Sequence, residues 1–164
     1  MTDSNSRFCE DTLLILDKRA GSFTVVTLNV RILGDDKLGA IVLYIIRKEV
    51  DVIFLQDTRA HDGRSDYFAE QLQAKLYTKL NKVRTVCNNP AAPIPPGGKQ
   101  LMVGGQLAII GHRARPYLTG MKPDATGQGV TMYLTFNFKL SKLLLINSYW
   151  APAGGSENTL LTRV

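Results

Sequence analysis

Cysteine is almost missing from this chain: Cys9 and Cys87 are the only two in 164 residues, and neither belongs to a Cys-x-x-Cys pair. That scarcity offers no zinc framework and no disulfide scaffold of the kind small secreted domains use. The first twenty residues lack a basic n-region followed by an apolar h-region, so no signal peptide is expected. No apolar run approaches the roughly 20 residues of a membrane-spanning helix. No internal repeat is visible. The glycine pair Gly104-Gly105 is not followed by Lys-Ser/Thr, which sets a nucleotide-binding loop aside. These absences lead to the expectation of a soluble, reduced, intracellular protein, nuclear or cytoplasmic, without membrane partners.

What is present suits one globular domain. Of its residues 45% are hydrophobic and 21% charged, which excludes a disordered chain. A domain of this length buries roughly 68–70% of the surface its unfolded chain exposes. Twenty basic residues against fourteen acidic ones give a formal net charge of +6, a lean toward polyanionic partners. The basic residues gather at Arg47-Lys48, at Lys75, Lys79, Lys82 and Arg84, and at His112, Arg113 and Arg115. A solvated face explains such groups as readily as a nucleic-acid groove.

The organising stretch runs from Phe23 to Asp57. Phe23–Asn29 is an apolar, β-branched strand ending in an amide, and Asp51–Asp57 is a buried-type strand ending in Gln56 and Asp57. Between them Leu38, Ile41, Val42, Ile45 and Ile46 share one stripe of a helix, with Asp35 or Asp36 as the expected N-cap. Strand, helix and strand make a βαβ-like unit, with Asn29 and Asp57 at corresponding strand ends, where loops gather ligand-binding groups. An amide and a carboxylate there suit a hard metal ion or a phosphate; the plainer alternative is that both cap turns.

Residues 1–20 read as an N-terminal extension, with Leu13–Leu16 an undecided strand or turn, and residues 21–164 as the domain. After Asp57 the polar loop Thr58–Gly63 carries Arg59 and His61. Ser65 with Asp66 is expected to cap a second helix whose stripe is Tyr67, Phe68, Leu72 and Leu76. Tyr77–Cys87 reads as a basic strand or hairpin, and Asn88–Gly98, with four prolines, as a long loop. Strands are expected at Val103–Ile110, at Val130–Phe138 with Met132, Leu134, Phe136 and Phe138 on one face, and at Leu143–Ile146 as a buried run. A final helix is expected from Ser156. Gly104-Gly105 is expected to allow close backbone approach or a bulge, and Trp150 to pack rather than stack on a base.

In chain order the sequence thus has a strand ending at Asn29, then Ile53-Phe-Leu-Gln-Asp57-Thr58, Gly104-Gly-Gln-Leu-Ala-Ile-Ile110 and Asn147-Ser-Tyr149-Trp-Ala-Pro152. These motifs resemble the first part of the endonuclease/exonuclease/phosphatase family, in particular its apurinic-endonuclease-like branch as found in non-LTR retrotransposon endonuclease domains. The resemblance covers residues 23–152. It implies an α/β fold, part of a four-layered sandwich of two β-sheets flanked by helices, with the second sheet incomplete. It also implies a Mg²⁺- (or Mn²⁺-) dependent phosphodiesterase acting on nucleic acid, DNA before RNA, with a reverse transcriptase downstream in a longer parent protein. Carried over by position, Asn29 contacts metal or scissile phosphate, Asp57 is the metal carboxylate, and Tyr149 points at the phosphate. Arg31, Arg59 and His61 on the same rim are the expected nucleic-acid contacts.

The chain departs from the family in three respects. Asp57 stands where the family usually has Glu, one methylene longer. Ala153 replaces the Asn that often follows Tyr-x-Pro. No Asp-x-Asn or Ser-Asp-His follows Pro152, so the family's general base and catalytic His have no counterpart, and neither His61 nor His112 substitutes by position. The resemblance therefore implies weak or absent hydrolysis. Two alternatives stand beside it: a phosphatase-type member of the same family, and a non-catalytic relic that binds nucleic acid or a partner.

Overall fold

Two β-strands and the helix between them are the centre of the molecule, described by a computed structural model over residues 22–80, 85–91 and 104–149. Strand β1 (Val25–Asn29) and strand β2 (Val52–Gln56) pair in parallel, joined by helix α1 (Asp35–Lys48). Helix α2 (Asp62–Leu80) leads to β3 (Thr85–Asn89), which pairs antiparallel with β4 (Gln106–Ile110). The sheet order is β1-β2-β4-β3. A second, antiparallel sheet holds β5 (Leu118–Lys122), β6 (Thr131–Phe138) and β7 (Ser141–Ser148) in that order.

Alternation along β2 explains the layering. Ile53 and Leu55 join Leu38, Ile41, Ile45, Phe68, Leu72 and Leu76 in one core between the first sheet and both helices. Val52 and Phe54 point the other way, into a second core with Met132, Leu134 and Phe136 between the two sheets. A strand buried on both faces carries a continuous apolar run. The result is an α/β sandwich of helices, sheet and sheet, three layers among the described residues. The outer face of the second sheet carries Tyr133, Leu144 and Ile146 exposed.

Several elements differ from expectation. The N-cap of α1 is Gly34, and Asp35 and Asp36 lie in the first turn, where carboxylates complement the helix dipole. Helix α2 begins at Asp62, because Ser65 N–H already donates to His61 O at 2.8 Å; Ser65 is a buried helix residue whose hydroxyl bonds Asn88. Phe68, Leu72 and Leu76 form its buried stripe at i+4 spacing, and Tyr67, one position off the stripe, is exposed with its hydroxyl on Asp35. The helix carrying that stripe runs to Leu80, over the start of the strand expected at Tyr77–Cys87, and Thr85–Asn89 is extended. β5, entered through a 3₁₀ turn at Arg115–Tyr117 with Pro116, had no expected counterpart. β7 is not a buried strand: with one face on the core it alternates, leaving Leu144 and Ile146 exposed. The lead-in Leu13–Leu16, most of the proline-rich loop, Val103, Trp150, Pro152 and the helix expected from Ser156 lie outside the described residues.

Candidate phosphate-binding rim

Asn29 and Gln56 are register partners at the ends of β1 and β2, so the loops that follow leave the sheet side by side. They stay hydrogen-bonded beyond the strands. Val30 N–H donates to Gln56 O, Ile32 N–H to Asp57 O and Leu33 N–H to Thr58 O, each at 2.9 Å. On the other side Thr58 N–H donates to Gly105 O at 3.0 Å and Arg59 N–H to Gly104 O at 2.9 Å. Gly104 and Gly105, at φ 84° and 79°, supply these carbonyls from a left-handed backbone. A Cβ on Gly105 would strike the Thr58 hydroxyl. Of the two roles expected for this pair, close backbone approach or a bulge, the structure shows the close approach, a strap on the rim loop.

Within this frame Arg31 (φ 42°), Ile32 (φ 72°), Asp57 (φ 56°) and Arg59 (φ 51°) all adopt left-handed conformations that L-residues rarely take. Such strain persists where surrounding structure over-determines it, and it concentrates at functional sites. Lys37 supplies part of that constraint: its Nζ donates to Val30 O at 2.7 Å, Ile32 O at 2.9 Å and Arg31 O at 3.1 Å.

Asp57 and Arg59 face each other as a bidentate pair, Nε to Oδ1 at 3.0 Å and Nη2 to Oδ2 at 3.2 Å. The Asp57 side chain is 2% exposed and that of Arg59 26%. The carboxylate raises the Arg59 pKa, chiefly through its hydrogen bond. Tyr149 closes the cluster. Its phenol pKa is raised first by burial and then by the Asp57 charge and a hydrogen bond to that carboxylate, while Arg59 and Arg31 pull it down. Asp57, Arg59, Tyr149 and Arg31 are therefore one electrostatic group. Asn29 is exposed, and its Oδ1 accepts from Arg31 N–H at 3.0 Å, the turn-capping role that stood as the plainer alternative. His61 is exposed at the start of α2, two residues beyond Arg59.

The end of β7 is held against the first sheet by amides to which the motif reading gave no role. Gln56 Nε2 donates to Asn147 Oδ1 at 2.7 Å and to Ser148 O at 3.3 Å. Buried Gln106 donates to Val130 O at 2.9 Å, and buried Asn89 to Thr131 O at 2.9 Å. Tyr149 N–H donates to Val130 O at 2.8 Å, which fixes where its ring begins. Four amides at four strand ends are a sequence-visible signal, but their pairing across two sheets is not.

A divalent ion at Asp57 is poorly matched by these donors. Mg²⁺ needs an accessible carboxylate oxygen and space for its waters. Both Asp57 oxygens already face a guanidinium, and two arginines adjoin the position. Among the described residues no group of three or more His, Cys, Asp or Glu side chains is arranged to hold a metal.

Fold and rim together define a two-sheet α/β sandwich with a cationic, phenol-lined cluster at its strand ends. Among solved structures this chain is similar to an endonuclease/exonuclease/phosphatase family protein from Leptotrichia buccalis, with a TM-score of 0.57 and 13% identity over 87% of this chain and 62% of that one. It is also similar to the AP endonuclease LMAP from Leishmania major, with a TM-score of 0.54 and 16% identity over 79% of this chain and 40% of that one. The chain thus spans less than two thirds of either structure. At these identities the likeness is one of fold. No protein-family model and no curated protein matches the sequence. Among the described residues no helix is long and apolar enough to cross a membrane.

Proposed function

We propose that this chain is a nuclease-fold domain that binds the phosphodiester backbone of nucleic acid and, alone, cleaves it weakly or not at all. The observation that carries this reading is the Asp57–Arg59–Tyr149 cluster with Arg31, at the rim where loops of this sandwich collect. Arginine forks recognise phosphate oxygens bidentately, and a phenol can donate to the same group. The net charge of +6 favours a polyanion over a neutral ligand. The order of the four motifs supports the finer version of the reading: DNA as the nucleic acid, a retrotransposon-type endonuclease domain as the ancestry, and a reverse transcriptase as the neighbour in a longer parent protein. Arg31 and Arg59 contact backbone phosphates in this proposal, and Asn29 and His61 border the groove.

The second reading is hydrolysis, with Mg²⁺ or Mn²⁺ on Asp57 and Asn29 and with Tyr149 at the scissile phosphate. The left-handed backbone at Asp57 and Arg59 favours it, since strain of that kind accompanies working sites. The ion pair on Asp57 opposes it. A supercoiled-plasmid nicking assay with and without Mg²⁺, beside a DNA-binding isotherm taken at several salt concentrations, separates the two. Salt-sensitive binding without nicking is the expected result. Mg²⁺-dependent nicking that disappears in Asp57→Ala overturns the binding-only reading, and competition by a sugar phosphate but not by short DNA points to the phosphatase alternative.

A further inference from the structure

We propose that Arg59 occupies the position of the divalent cation on Asp57, so that Arg59, Tyr149 and Arg31 form a phosphodiester-binding site that works without metal. This rests on the backbone-binding reading above and specifies its chemistry.

Four observations carry it. The Arg59–Asp57 contact uses both carboxylate oxygens, at 3.0 and 3.2 Å, and the carboxylate is only 2% exposed, so no oxygen is left facing water for an incoming ion. Burial and then the Asp57 charge raise the Tyr149 phenol pKa, which places that ring within electrostatic reach of the carboxylate. The pair is not a floppy surface contact: Lys37 fixes the loop on one side, and the Gly104 and Gly105 carbonyls hold Thr58 and Arg59 on the other. Finally, guanidinium carries five N–H donors, of which Asp57 takes two, leaving three on a side chain that is 26% exposed.

Charge decides between the two possible ligands. One carboxylate against the guanidinium groups of Arg59 and Arg31 leaves the cluster net positive. A divalent ion adds to that excess and must also break a buried two-point pair. A phosphodiester neutralises the excess and leaves the pair intact. Asp57 then acts as a positioning residue: it orients the Arg59 fork so that the unused donors face the groove. The shorter side chain at this position, Asp where the resembled family has Glu, belongs to the same arrangement, since its partner is two residues away.

The test uses the whole 164-residue chain and two independent readouts. The first is Mn²⁺ binding followed by electron paramagnetic resonance, with no nucleic acid present. Wild type is expected to bind no stoichiometric Mn²⁺, whereas Arg59→Gln, which frees Asp57, gains a site that the added change Asp57→Asn removes. The second is fluorescence anisotropy with a labelled single-stranded oligonucleotide, in EDTA and in Mg²⁺ at matched ionic strength. Wild type should bind within about twofold in both. Arg59→Gln should lose about tenfold, the equivalent of one good contact. Arg59→Lys, which keeps the charge but not the fork, should fall between them. Arg59→Lys also guards against a fold that fails without a cation at this position, and circular dichroism of each variant checks that it has folded. Stoichiometric Mn²⁺ on wild type that Asp57→Asn abolishes overturns the proposal, as does binding that collapses in EDTA. If wild type excludes Mn²⁺ but binds no oligonucleotide under either condition, the backbone-binding reading fails, and with it the assignment of phosphodiester as ligand.

Discussion

Gln56→Leu tests whether the two sheets are joined at the rim by the amide contact seen there. Gln56 Nε2 donates to Asn147 Oδ1 at 2.7 Å, while its second contact, to Ser148 O at 3.3 Å, is weaker and exposed. Asn147 is buried, and its Nδ2 has no partner among the described residues, so Gln56 is the donor that its side-chain oxygen depends on. Leucine nearly matches the glutamine in volume but donates nothing, and the Asn147 oxygen is left buried and unpaired. Such an orphan costs about 1–3 kcal/mol. Gln56 is half-buried, so some water reaches the contact and the lower part of that range, about 1–2 kcal/mol, applies. At this chain length each kcal/mol moves Tm by roughly 2–4 °C, which gives a drop of about 2–8 °C. Asn147→Leu alone removes the orphaned amide and lets Gln56 turn to water, so it should cost less, about 1 kcal/mol at most. The double variant leaves no buried polar group unpaired and should be at least about 1 kcal/mol more stable than the sum of the single changes implies. Urea unfolding followed by circular dichroism measures all three. Gln56→Leu with wild-type stability, or single effects that add to within about 0.5 kcal/mol, would refute the idea that this pair joins the sheets.

Gly105→Ala should damage the rim more than the core: at φ 79° an alanine is strained by about 1–3 kcal/mol, and its Cβ meets the Thr58 hydroxyl, so oligonucleotide affinity should fall along with Tm. Unchanged affinity in a folded Gly105→Ala protein would show that the strap does not set the Arg59 geometry. Asp124 gives a pH dependence. Burial pushes its carboxyl up, but hydrogen bonds from the Thr126 N–H and hydroxyl and from Val130 N–H outweigh that and hold it below its usual value. Its stabilisation is therefore present above pH 3.8 and lost as pH falls through the lowered folded-state value. Asp124→Asn should flatten the acid limb of the stability–pH curve, and an unaltered limb would contradict the assignment.

The βαβ unit was legible because its signals agree: the 38/41/42/45 stripe of α1 is buried as its spacing demands, and β2 is apolar throughout because it separates two cores. The rim residues 29, 57, 59 and 149 could be picked out by their position at strand ends. Their partners could not. Whether Asp57 meets a metal or Arg59 depends on left-handed backbone at both residues, and nothing in Asp-Thr-Arg announces that. The β5 strand was missed because Leu-Thr-Gly-Met-Lys has neither strict alternation nor a β-branched run, and its pairing with β6 supplies what propensity does not. Helix α2 overran the expected strand for the opposite reason, since burial of Leu76 outweighed the weak alternation after it.

The rim is held by backbone hydrogen bonds between adjacent loops, by the Lys37 ammonium, by two glycine carbonyls and by amides between the sheets, none of which needs an ion at Asp57. At 13–16% identity the likeness is one of fold, and fold alone does not fix the reacting groups. In extended chain, residues i and i+2 face the same way, and the left-handed turn at Asp57 and Arg59 brings that pair to hydrogen-bond distance. A cation at position 59 thus satisfies a buried carboxylate from within the chain.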